Sequence, residues 1–413
     1  MAFSSGETIQ PTTMSFTSGT LGGTDTVEVG GLLTWTGGAM SGGGTTRALG
    51  GILLNGSTFC DLNPRTLRNA GTATWSGGIL RLGAGAQLIN DGLFDAQADG
   101  VITTVVGSGT VVNTGTFRKS GGTGATQLQV PLTSSGSVEA LSHTIDFAAG
   151  FTQTAGTLTL NGGTVVSSVP LSIQGGTFRG IGSTSIGVTS SGTTSPGLSP
   201  GLLGVTGAWS QSAAGTLAVE LGGVAPGTQH DRLDVSGAAT IDGTLSVSFT
   251  GGYVPITGDA FTILTAGTRT GTFAATILPP LGAGQFWNVN YKPASVELKI
   301  VPLTAGRVPQ GSLKLAKSGA QLKLDWSAGC VATDIDSEIY EGTVGGTFTS
   351  HVPVVCSTGG ALTWTLSPAA GNRYYLVVPT NGIGEGSYGF GAPGVERPVS
   401  ASACHVQAIA PCP

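Results

Sequence analysis

The chain has few charged residues for its length. Only 9% of its 413 residues are Asp, Glu, Lys or Arg, whereas globular proteins average about 25%. Lysine and arginine total 17 against 22 acidic residues, which gives a net charge of −5, and no basic block occurs. A nucleic-acid partner needs a concentration of positive charge, so the sequence predicts no such partner.

Long apolar runs are absent as well. No stretch reaches the ~20 apolar residues that a membrane-spanning helix needs, so we expect no transmembrane segment in this chain. The N-terminal sequence MAFSSGETIQPTT has no basic region followed by an apolar stretch, so we expect no signal peptide in it. Two interpretations stay open: a signal lost from the sequence, or a fragment of a longer surface protein.

Helical patterns are also missing, and glycine is abundant instead. The chain contains 71 glycines, and 39% of its residues are hydrophobic. Glycine punctuates apolar runs of period two, as in GTLTLNGGTVV at 156–166. This combination is typical of short strands joined by tight turns. The sequence therefore predicts an all-β protein.

A repeat of about twenty residues runs through the N-terminal part. Segments such as QLINDGLFDA (87–96) and GFTQTAGTLTL (150–160) share an apolar residue, polar residues, a glycine and another apolar residue. The aligned glycines are Gly71, Gly92, Gly115, Gly136, Gly156 and Gly176. One such unit cannot bury its apolar face alone, whereas stacked units can. We therefore predict a parallel β-helix, a solenoid of ~20-residue coils, over residues 1–194.

Glycine and asparagine have predicted places in each coil. Glycine reaches positive φ at corners and lets neighbouring coils approach closely. Asn63, Asn69, Asn90 and Asn113 fall near the turns. Asparagine there tolerates the left-handed region and can stack on its equivalents. We interpret these residues as structural rather than catalytic.

The segment SPGLSPG (195–201) begins a region with its own texture. It continues as LLGVTG, GTLAVEL, DRLDVSG and DAFTILTAG, in that order. These elements resemble the passenger-associated repeat region of bacterial autotransporters, over residues 195–275. The resemblance implies that 195–302 forms the closing part and cap of a β-helix. The membrane part of such proteins has no counterpart in the sequence, so we expect the chain to correspond to a passenger alone.

The Ser-Pro-Gly doublet is predicted to be a structural turn. Pro196 and Pro200 fix φ and remove a backbone donor, and Gly197 and Gly201 permit the turns that follow. A nucleophilic Ser199 needs Gly-x-Ser-x-Gly on a strand-to-helix elbow, and no helical pattern follows it. We therefore predict no catalytic residue in this stretch.

A third segment, residues 303–413, has the spacing of a β-sandwich. Runs such as QLKLDWSA, ALTWTLS and RYYLVVPTN read as short strands. With the nearby aromatic residues they resemble a fibronectin type III domain, over residues 311–400. The resemblance implies that Trp326 lies in the core and that YYLVV is a central strand of the opposite sheet.

Four of the five cysteines lie in this last segment. They are Cys330, Cys356, Cys404 and Cys412, whereas Cys60 stands alone. No Cys-x-x-Cys pair supports a zinc site. An even set favours disulfides and an oxidising compartment, and three pairings of four cysteines stay open. We therefore expect an extracellular or cell-surface location.

Two motifs contain residues typical of ligand-binding sites, but their neighbouring sequence lacks the elements that such sites need. GEGSYG (384–389) matches Gly-x-Gly-x-x-Gly, but a dinucleotide site needs it between a strand and a helix. His230 lies near Asp231 and Asp234, and no further metal ligand is nearby. We therefore predict no metal and no cofactor.

A third cluster of charge lies in the last segment. Asp334, Asp336 and Glu338 occupy alternate positions in TDIDSEIYEG. On a strand, alternate side chains share one face. We interpret this face as solvated.

Two function classes fit these features. The first is a non-catalytic, secreted or cell-surface structural protein, adhesin-like, with glycans or a host or neighbouring cell surface as partner. The alternative is a β-helix protein that binds or degrades polysaccharide, which for hydrolysis requires paired carboxylates. The candidates for such a groove are Asp91, Asp95 and Asp99, with Arg65, Arg68 and Arg81 one or two coils away. Because so few charged residues converge, we predict the non-catalytic role.

Overall fold

The computed structural model describes residues 1–282, 284–345, 348–391 and 394–412. Every regular element within these ranges is a β-strand, so the all-β prediction is confirmed. Among the described residues there is accordingly no helix of the length and apolarity needed to cross a membrane.

The strands are short and follow one another closely along the chain. In chain order, the first group is Ala2–Phe3 (β1), Met14–Phe16 (β2), Thr20–Gly23 (β3), Val27–Val29 (β4), Leu33–Trp35 (β5), Gly38–Met40 (β6), Thr45–Ala48 (β7), Ile52–Leu62 (β8), Thr66–Asn69 (β9), Thr72–Leu82 (β10), Gln87–Asn90 (β11), Leu93–Ala96 (β12), Val101–Thr104 (β13), Thr110–Asn113 (β14), Thr116–Lys119 (β15), Ala125–Leu128 (β16), Leu132–Ser134 (β17), Ser137–Ala140 (β18), Thr144–Phe147 (β19), Phe151–Gln153 (β20), Thr157–Asn161 (β21), Thr164–Ser167 (β22), Leu171–Ile173 (β23) and Thr177–Thr184 (β24). The second group is Val188–Ser190 (β25), Thr193–Pro196 (β26), Leu202–Val205 (β27), Trp209–Gln211 (β28), Thr216–Leu221 (β29), Arg232–Val235 (β30), Ala238–Ile241 (β31), Thr244–Phe249 (β32), Ala260–Thr265 (β33), Thr268–Gly271 (β34), Ala275–Ile277 (β35), Gln285–Lys292 (β36), Ser295–Pro302 (β37), Lys314–Ser318 (β38), Gln321–Asp325 (β39), Asp336–Thr343 (β40), Val352–Val355 (β41), Thr363–Leu366 (β42), Arg373–Thr380 (β43), Gly384–Glu385 (β44) and Val406–Gln407 (β45).

The chain divides into two compact units. Unit 1 contains Met1–Tyr253, Phe261–Pro279 and Tyr291–Glu297. Unit 2 contains Val254–Ala260, Pro280–Asn290 and Leu298–Pro413. The predicted separation of residues 1–194 from 195–302 stays a prediction.

Unit 1 is a parallel β-helix with three faces. The first face is a 12-stranded sheet whose order is β4, β7, β9, β11, β14, β17, β20, β23, β25, β28, β31 and β34. The second face includes β12, β15, β18 and β21, paired in parallel and in register. The third includes β13, β16, β19 and β22. The long strands β8, β10 and β24 pair with strands of both the second and third faces.

The interior of the β-helix is filled by alternate residues of each strand. In β21, for example, Leu158 and Leu160 have no exposed surface, whereas Thr157 and Thr159 face outward. Large aromatic side chains take the same inward positions in other coils, and Phe94 stacks on Phe117 with ring centroids 5.3 Å apart. Burial of each such side chain contributes about 1.5–3 kcal/mol. Stacked coils thus supply the core that one coil lacks.

A ladder of asparagines lies inside the first face. Asn69, Asn90 and Asn113 are fully buried, and the Nδ2 of each of the first two donates to the Oδ1 of the next at 2.7 Å. Asn113 continues the ladder by donating to Ser134 Oγ at 3.0 Å. All three end strands and none has a positive φ. The stacking prediction is therefore confirmed for these three residues, and none of them adopts the left-handed conformation that asparagine tolerates.

The aligned glycines form a corner where consecutive coils touch. A Cβ on Gly92, Gly115 or Gly136 would lie 2.0–2.1 Å from the carbonyl oxygen of the preceding glycine in the column. Only Gly156 and Gly176 of the column have positive φ. Close approach between coils, rather than backbone conformation, therefore explains most of this column.

Unit 2 contains a β-sandwich whose strands pair antiparallel, except for the parallel pair β44 and β45. One sheet is β38, β39 and β42, and the other is β41, β40, β43, β44 and β45. The core between them joins Leu324, Trp326 and Leu366 to Ile339, Tyr375 and Val377. Trp326 is therefore a core residue, as predicted. The strand that carries YYLVV, β43, pairs with β40 and β44 in the opposite sheet.

The predicted disulfides are present in unit 2. Cys330 pairs with Cys412, and Cys356 pairs with Cys404. Cys60 is a free and buried thiol in unit 1, and its burial raises its pKa to about 12. A thiol held neutral in this way is unreactive, because only the thiolate is a nucleophile.

Candidate functional site

Four of the six charged residues of the candidate groove form ion pairs, and of these Arg68 and Asp91 pair with each other. Asp91 forms an ion pair with Arg68. Arg81 binds the carboxylate of Asp61 through two hydrogen bonds of 2.6 and 2.7 Å. Each of these two arginines therefore has a carboxylate partner on the β-helix.

Arg65 lies inside the β-helix and not in a groove. It is 2% exposed, and its guanidinium donates to Thr46 Oγ1 at 2.8 Å and to the carbonyl oxygen of Asp25 at 2.9 Å. Further contacts reach the carbonyl oxygens of Gly23, Ser41 and Thr45. The arginine thus satisfies buried backbone oxygens of neighbouring coils.

Asp99 is held as a carboxylate. Its oxygens accept from the Thr123 N–H and from Lys119 Nζ, both at 3.0 Å. These hydrogen bonds, that of Thr123 first, keep the pKa of Asp99 far below its usual value. Lys119 has no exposed surface and also donates to Thr126 Oγ1 at 3.1 Å. Because a glycosidase acid needs a raised pKa, Asp99 is unsuited to that role.

Asp95 is the remaining carboxylate of the candidate set. It is 8% exposed, and its Oδ2 accepts from Gln97 Nε2 at 2.9 Å. Its Oδ1 has no hydrogen-bond partner among the described residues. Its Oδ2 is thus bound to an amide, that of Gln97, rather than to a second carboxyl group.

The Ser-Pro-Gly doublet forms a corner around a buried carboxylate. Gly197, with φ of +87°, follows the end of β26, and the Ser199–Pro200 peptide is cis. The N–H of Gly201 donates to Asp231 Oδ1 at 2.8 Å, and the Glu220 N–H donates to Oδ2 at 2.9 Å. A Cβ on Gly197 would lie 2.4 Å from Asp231 Oδ1. The corner therefore closes on Asp231.

Burial of this carboxylate changes its titration. Asp231 is 1% exposed, and burial raises its pKa to about 6, although the N–H groups of Glu220 and Gly201 oppose the shift. Nearby, both ring nitrogens of His230 face carbonyl oxygens, those of Gly223 at 3.0 Å and Thr262 at 3.2 Å. These groups bind the backbone, and among the described residues no cluster of His, Cys, Asp or Glu has the arrangement of a metal site.

The outer surface of the first face carries a row of hydroxyl side chains. Consecutive strands from β17 to β34 place one such residue each in register: Thr133, Thr152, Ser172, Thr189, Ser210, Thr240 and Thr270. A parallel row on the second face comprises Ser137, Thr157, Thr177, Thr193, Thr216 and Thr244. Strand spacing sets the backbones of neighbouring row residues about 4.8 Å apart. In two pairs the hydroxyls hydrogen-bond to each other, Thr157 to Ser137 at 3.2 Å and Thr270 to Thr240 at 3.4 Å. We call these two sets the hydroxyl rows, and neither contains a charged side chain.

In unit 2 the acidic residues predicted to be solvated are partly buried, so that prediction is wrong for Glu338. Glu338 has no exposed surface, because β40 lies between β41 and β43 and packs on the interior. Asp336 accepts from Ser357 Oγ at 2.5 Å and from Thr358 Oγ1 at 2.8 Å. Alternation in the sequence did not distinguish a solvated face from a polar interior.

Glu338 belongs to a closed network with a second buried glutamate. The Tyr340 hydroxyl lies 2.8 Å from Glu338 Oε2 and 2.6 Å from Glu385 Oε2. One phenolic proton serves only one of these contacts, so the other requires a protonated carboxyl. Burial, followed by the hydrogen bond with Glu385, raises the pKa of Glu338. His405 Nδ1 and Tyr388 Oη complete the network at 2.5 Å from Glu338 Oε1 and Glu385 Oε1.

This network also explains GEGSYG. The Tyr388 hydroxyl of that motif donates to Glu385 within the sandwich. The backbone N–H groups that a phosphate would need are engaged as well, because those of Gly384, Gly386 and Ser387 donate to Asn381 Oδ1, the Pro379 carbonyl and the Gly306 carbonyl. The Tyr340 hydroxyl further accepts from the Cys404 N–H at 2.9 Å, beside the Cys356–Cys404 disulfide. We therefore assign the network to the packing of unit 2.

No known protein-family model matches the chain, and no curated protein matches it either. The autotransporter and fibronectin type III resemblances therefore stay predictions.

Proposed function

We propose that the chain is a non-catalytic, secreted or cell-surface structural protein, an adhesin-like β-solenoid of the passenger type. The β-helix supplies length, because each coil adds about 4.8 Å along the axis. The two disulfides of unit 2 support an oxidising compartment.

The hydroxyl rows are the observation that carries the adhesive part of this proposal. They are regular, uncharged and continuous over β17–β34. Threonine is β-branched and has few rotamers, so ordering such a surface against a partner costs little side-chain entropy. Hydroxyls both donate and accept, which suits the hydroxyl groups of a glycan.

The alternative function is binding or degradation of polysaccharide. The hydroxyl rows favour binding without degradation. Degradation is disfavoured because Asp91 and Asp99 are engaged in ion pairs with Arg68 and Lys119. The solenoid thus acts as a passive surface.

The experiment places positive charge within the first hydroxyl row. Thr189→Arg with Ser210→Arg puts two guanidiniums on adjacent strands of the first face. The matched control is Val166→Arg, an outward residue of β22 on the third face. We expect retention of the fluorescently labelled protein on glycan-coated and cell surfaces to fall for the double variant and not for the control.

Two results would count against the proposal. If the double variant and the control were retained equally, the hydroxyl rows would not contribute to adhesion. If neither the native chain nor the control were retained on any glycan or cell surface, the chain would have no adhesive role.

A further inference from the structure

Unit 2 has a cavity that the proposed structural role does not use. Its volume is about 230 Å³, and its walls are residues 307–311, part of β43, residues 387–390 and Arg397. Tyr375, Ser387 and Tyr388 in its lining are 8%, 2% and 2% exposed. Sites for drug-sized ligands measure about 300–1,000 Å³. This cavity therefore suits one small ring rather than an extended ligand.

Two guanidiniums line the cavity without a carboxylate partner. Among the described residues, no ion pair or hydrogen bond engages the side chain of Arg307 or Arg397. The remaining arginine of this unit, Arg373, lies 3.7 Å from a Glu341 oxygen. Arg307 is instead positioned over the Phe390 ring, 5.1 Å from its centroid. Arg397 lies 5.9 Å from the Phe348 centroid.

The hydroxyl groups of the lining are already engaged. Tyr375 donates to Glu341 at 2.7 Å, Ser387 to Glu396 at 2.8 Å and Tyr388 to Glu385 at 2.5 Å. These carboxylates accept from the lining hydroxyls and are not themselves among the lining residues. The guanidiniums, with the amide of Gln310, are therefore the side-chain donors that remain for a ligand.

We propose that this cavity binds a carboxylate-bearing pyranose, such as a uronic acid residue of an acidic glycan. A guanidinium binds a carboxylate through two parallel hydrogen bonds. The exposed Phe390 ring, 43% accessible, offers an apolar surface to the C–H face of a sugar ring. A phosphate alone would use the guanidiniums but not the ring. The site consists only of unit 2 residues, so it does not depend on the role proposed for the hydroxyl rows.

The test is saturation-transfer NMR on the whole chain with glucuronate, galacturonate and glucose as ligands and inorganic phosphate as a competitor. We expect transfer to both uronates, with roughly millimolar dissociation constants, and none to glucose. Arg307→Gln and Arg397→Gln should each weaken uronate binding roughly tenfold or more, because a charge-assisted pair is lost. Lys317→Gln removes the same charge from an exposed strand of this unit and should leave binding unchanged.

A thermal melt of each variant checks that it folds. If an arginine variant unfolds, the Arg→Lys variant at the same position keeps the charge and should retain part of the binding. Equal binding of glucose and glucuronate, or arginine variants that bind as the native chain does, would overturn the proposal. Transfer to neither uronate would overturn the proposal. Inorganic phosphate that displaces the uronates at a concentration well below theirs would overturn the sugar assignment, because the ring would then add nothing to binding.

Discussion

Single residues act in this protein mainly through the spaces between coils. A glycine of the corner column has no side chain because the carbonyl of the preceding coil occupies that space. Buried polar residues likewise bind the backbone of neighbouring coils, as Arg65 and Asp231 do. The sequence repeat predicted the glycine column, but nothing in its pattern marked Arg65, Lys119 or Asp231 as interior residues. Their burial depends on partners from distant positions.

The first prediction concerns the glycine column. Gly136→Ala places a Cβ 2.0 Å from the Gly115 carbonyl oxygen, so the coils must separate. We expect a loss of roughly 1–3 kcal/mol in the free energy of unfolding, measured by urea denaturation. Gly43→Ala is the control, because a Cβ there meets no atom within 4 Å. Equal losses for both variants would show that close approach is not the cause.

The second prediction is a pH dependence that comes from Asp231. Its pKa of about 6 exceeds the ordinary value of 3.8, so the folded state binds a proton more tightly than the unfolded state. The contribution of Asp231 to the free energy of unfolding of unit 1 should therefore be greatest below pH 4 and should fall as the pH rises to about 6. A shift of two pKa units corresponds to about 3 kcal/mol.

Denaturation of single variants across pH 4–7 separates this group from others. Asp231→Asn should remove the slope and also lower stability, because an amide cannot accept from both N–H groups. Asp234→Asn, a partly exposed residue paired with Arg232, should keep the slope. A slope that survives in Asp231→Asn would contradict the assignment.

At the scale of the element, the period-two alternation of each strand can be predicted from the sequence, whereas the tertiary contacts of its side chains cannot. Period-two alternation and the repeat length were sufficient to predict stacked strands, as β21 and β18 show. The same alternation misled for β40, where Glu338 points into the sandwich. From sequence alone, a carboxylate on a strand is predicted to be solvated unless its partners are known. The partners of Glu338 are Tyr340, 2 positions along the chain, and Glu385, 47 positions along.

The asparagine ladder is the element that most directly joins neighbouring coils through side chains. Asn90 accepts from Asn69 and donates to Asn113, both at 2.7 Å, and donates to the Thr116 carbonyl at 2.9 Å. Asn90→Ala leaves these buried groups unsatisfied, at roughly 1–3 kcal/mol for each. We expect a melting-temperature loss of several degrees in calorimetry.

Asn161→Ala is the matched control for the ladder. Asn161 ends β21 and is exposed, so its replacement should change stability by less than about 0.5 kcal/mol. If Asn90→Ala melted at the native temperature, the ladder would be a consequence of stacking and not a contributor to it.

At the scale of the whole molecule, covalent reinforcement belongs to unit 2 alone. The cysteine count and clustering predicted disulfides there, but not which of three pairings forms. The Cys330–Cys412 disulfide spans 82 positions of the chain, and the Cys356–Cys404 disulfide spans 48. The second disulfide lies within the loop that the first one closes. Only the folded sandwich brings these partners together, so sequence spacing could not select them.

Reduction should therefore affect the two units differently. Closing loops of this length stabilises by roughly 4 kcal/mol for a single bond. With a phosphine reductant we expect the calorimetric transition of unit 2 to move to lower temperature. The transition of unit 1, whose Cys60 is a free thiol, should not move. A shift of both transitions would show that the disulfides stabilise more than unit 2.

The central proposal is that this β-solenoid presents a binding surface and performs no catalysis. The most direct measurement is the release of new reducing ends or unsaturated products from a panel of neutral and acidic polysaccharides incubated with the purified chain. We predict none above the level of heat-denatured protein, because Asp91 and Asp99 are ion-paired and Asp95 is buried and bound to Gln97. Turnover that is abolished by Asp91→Asn or Asp95→Asn would contradict the account.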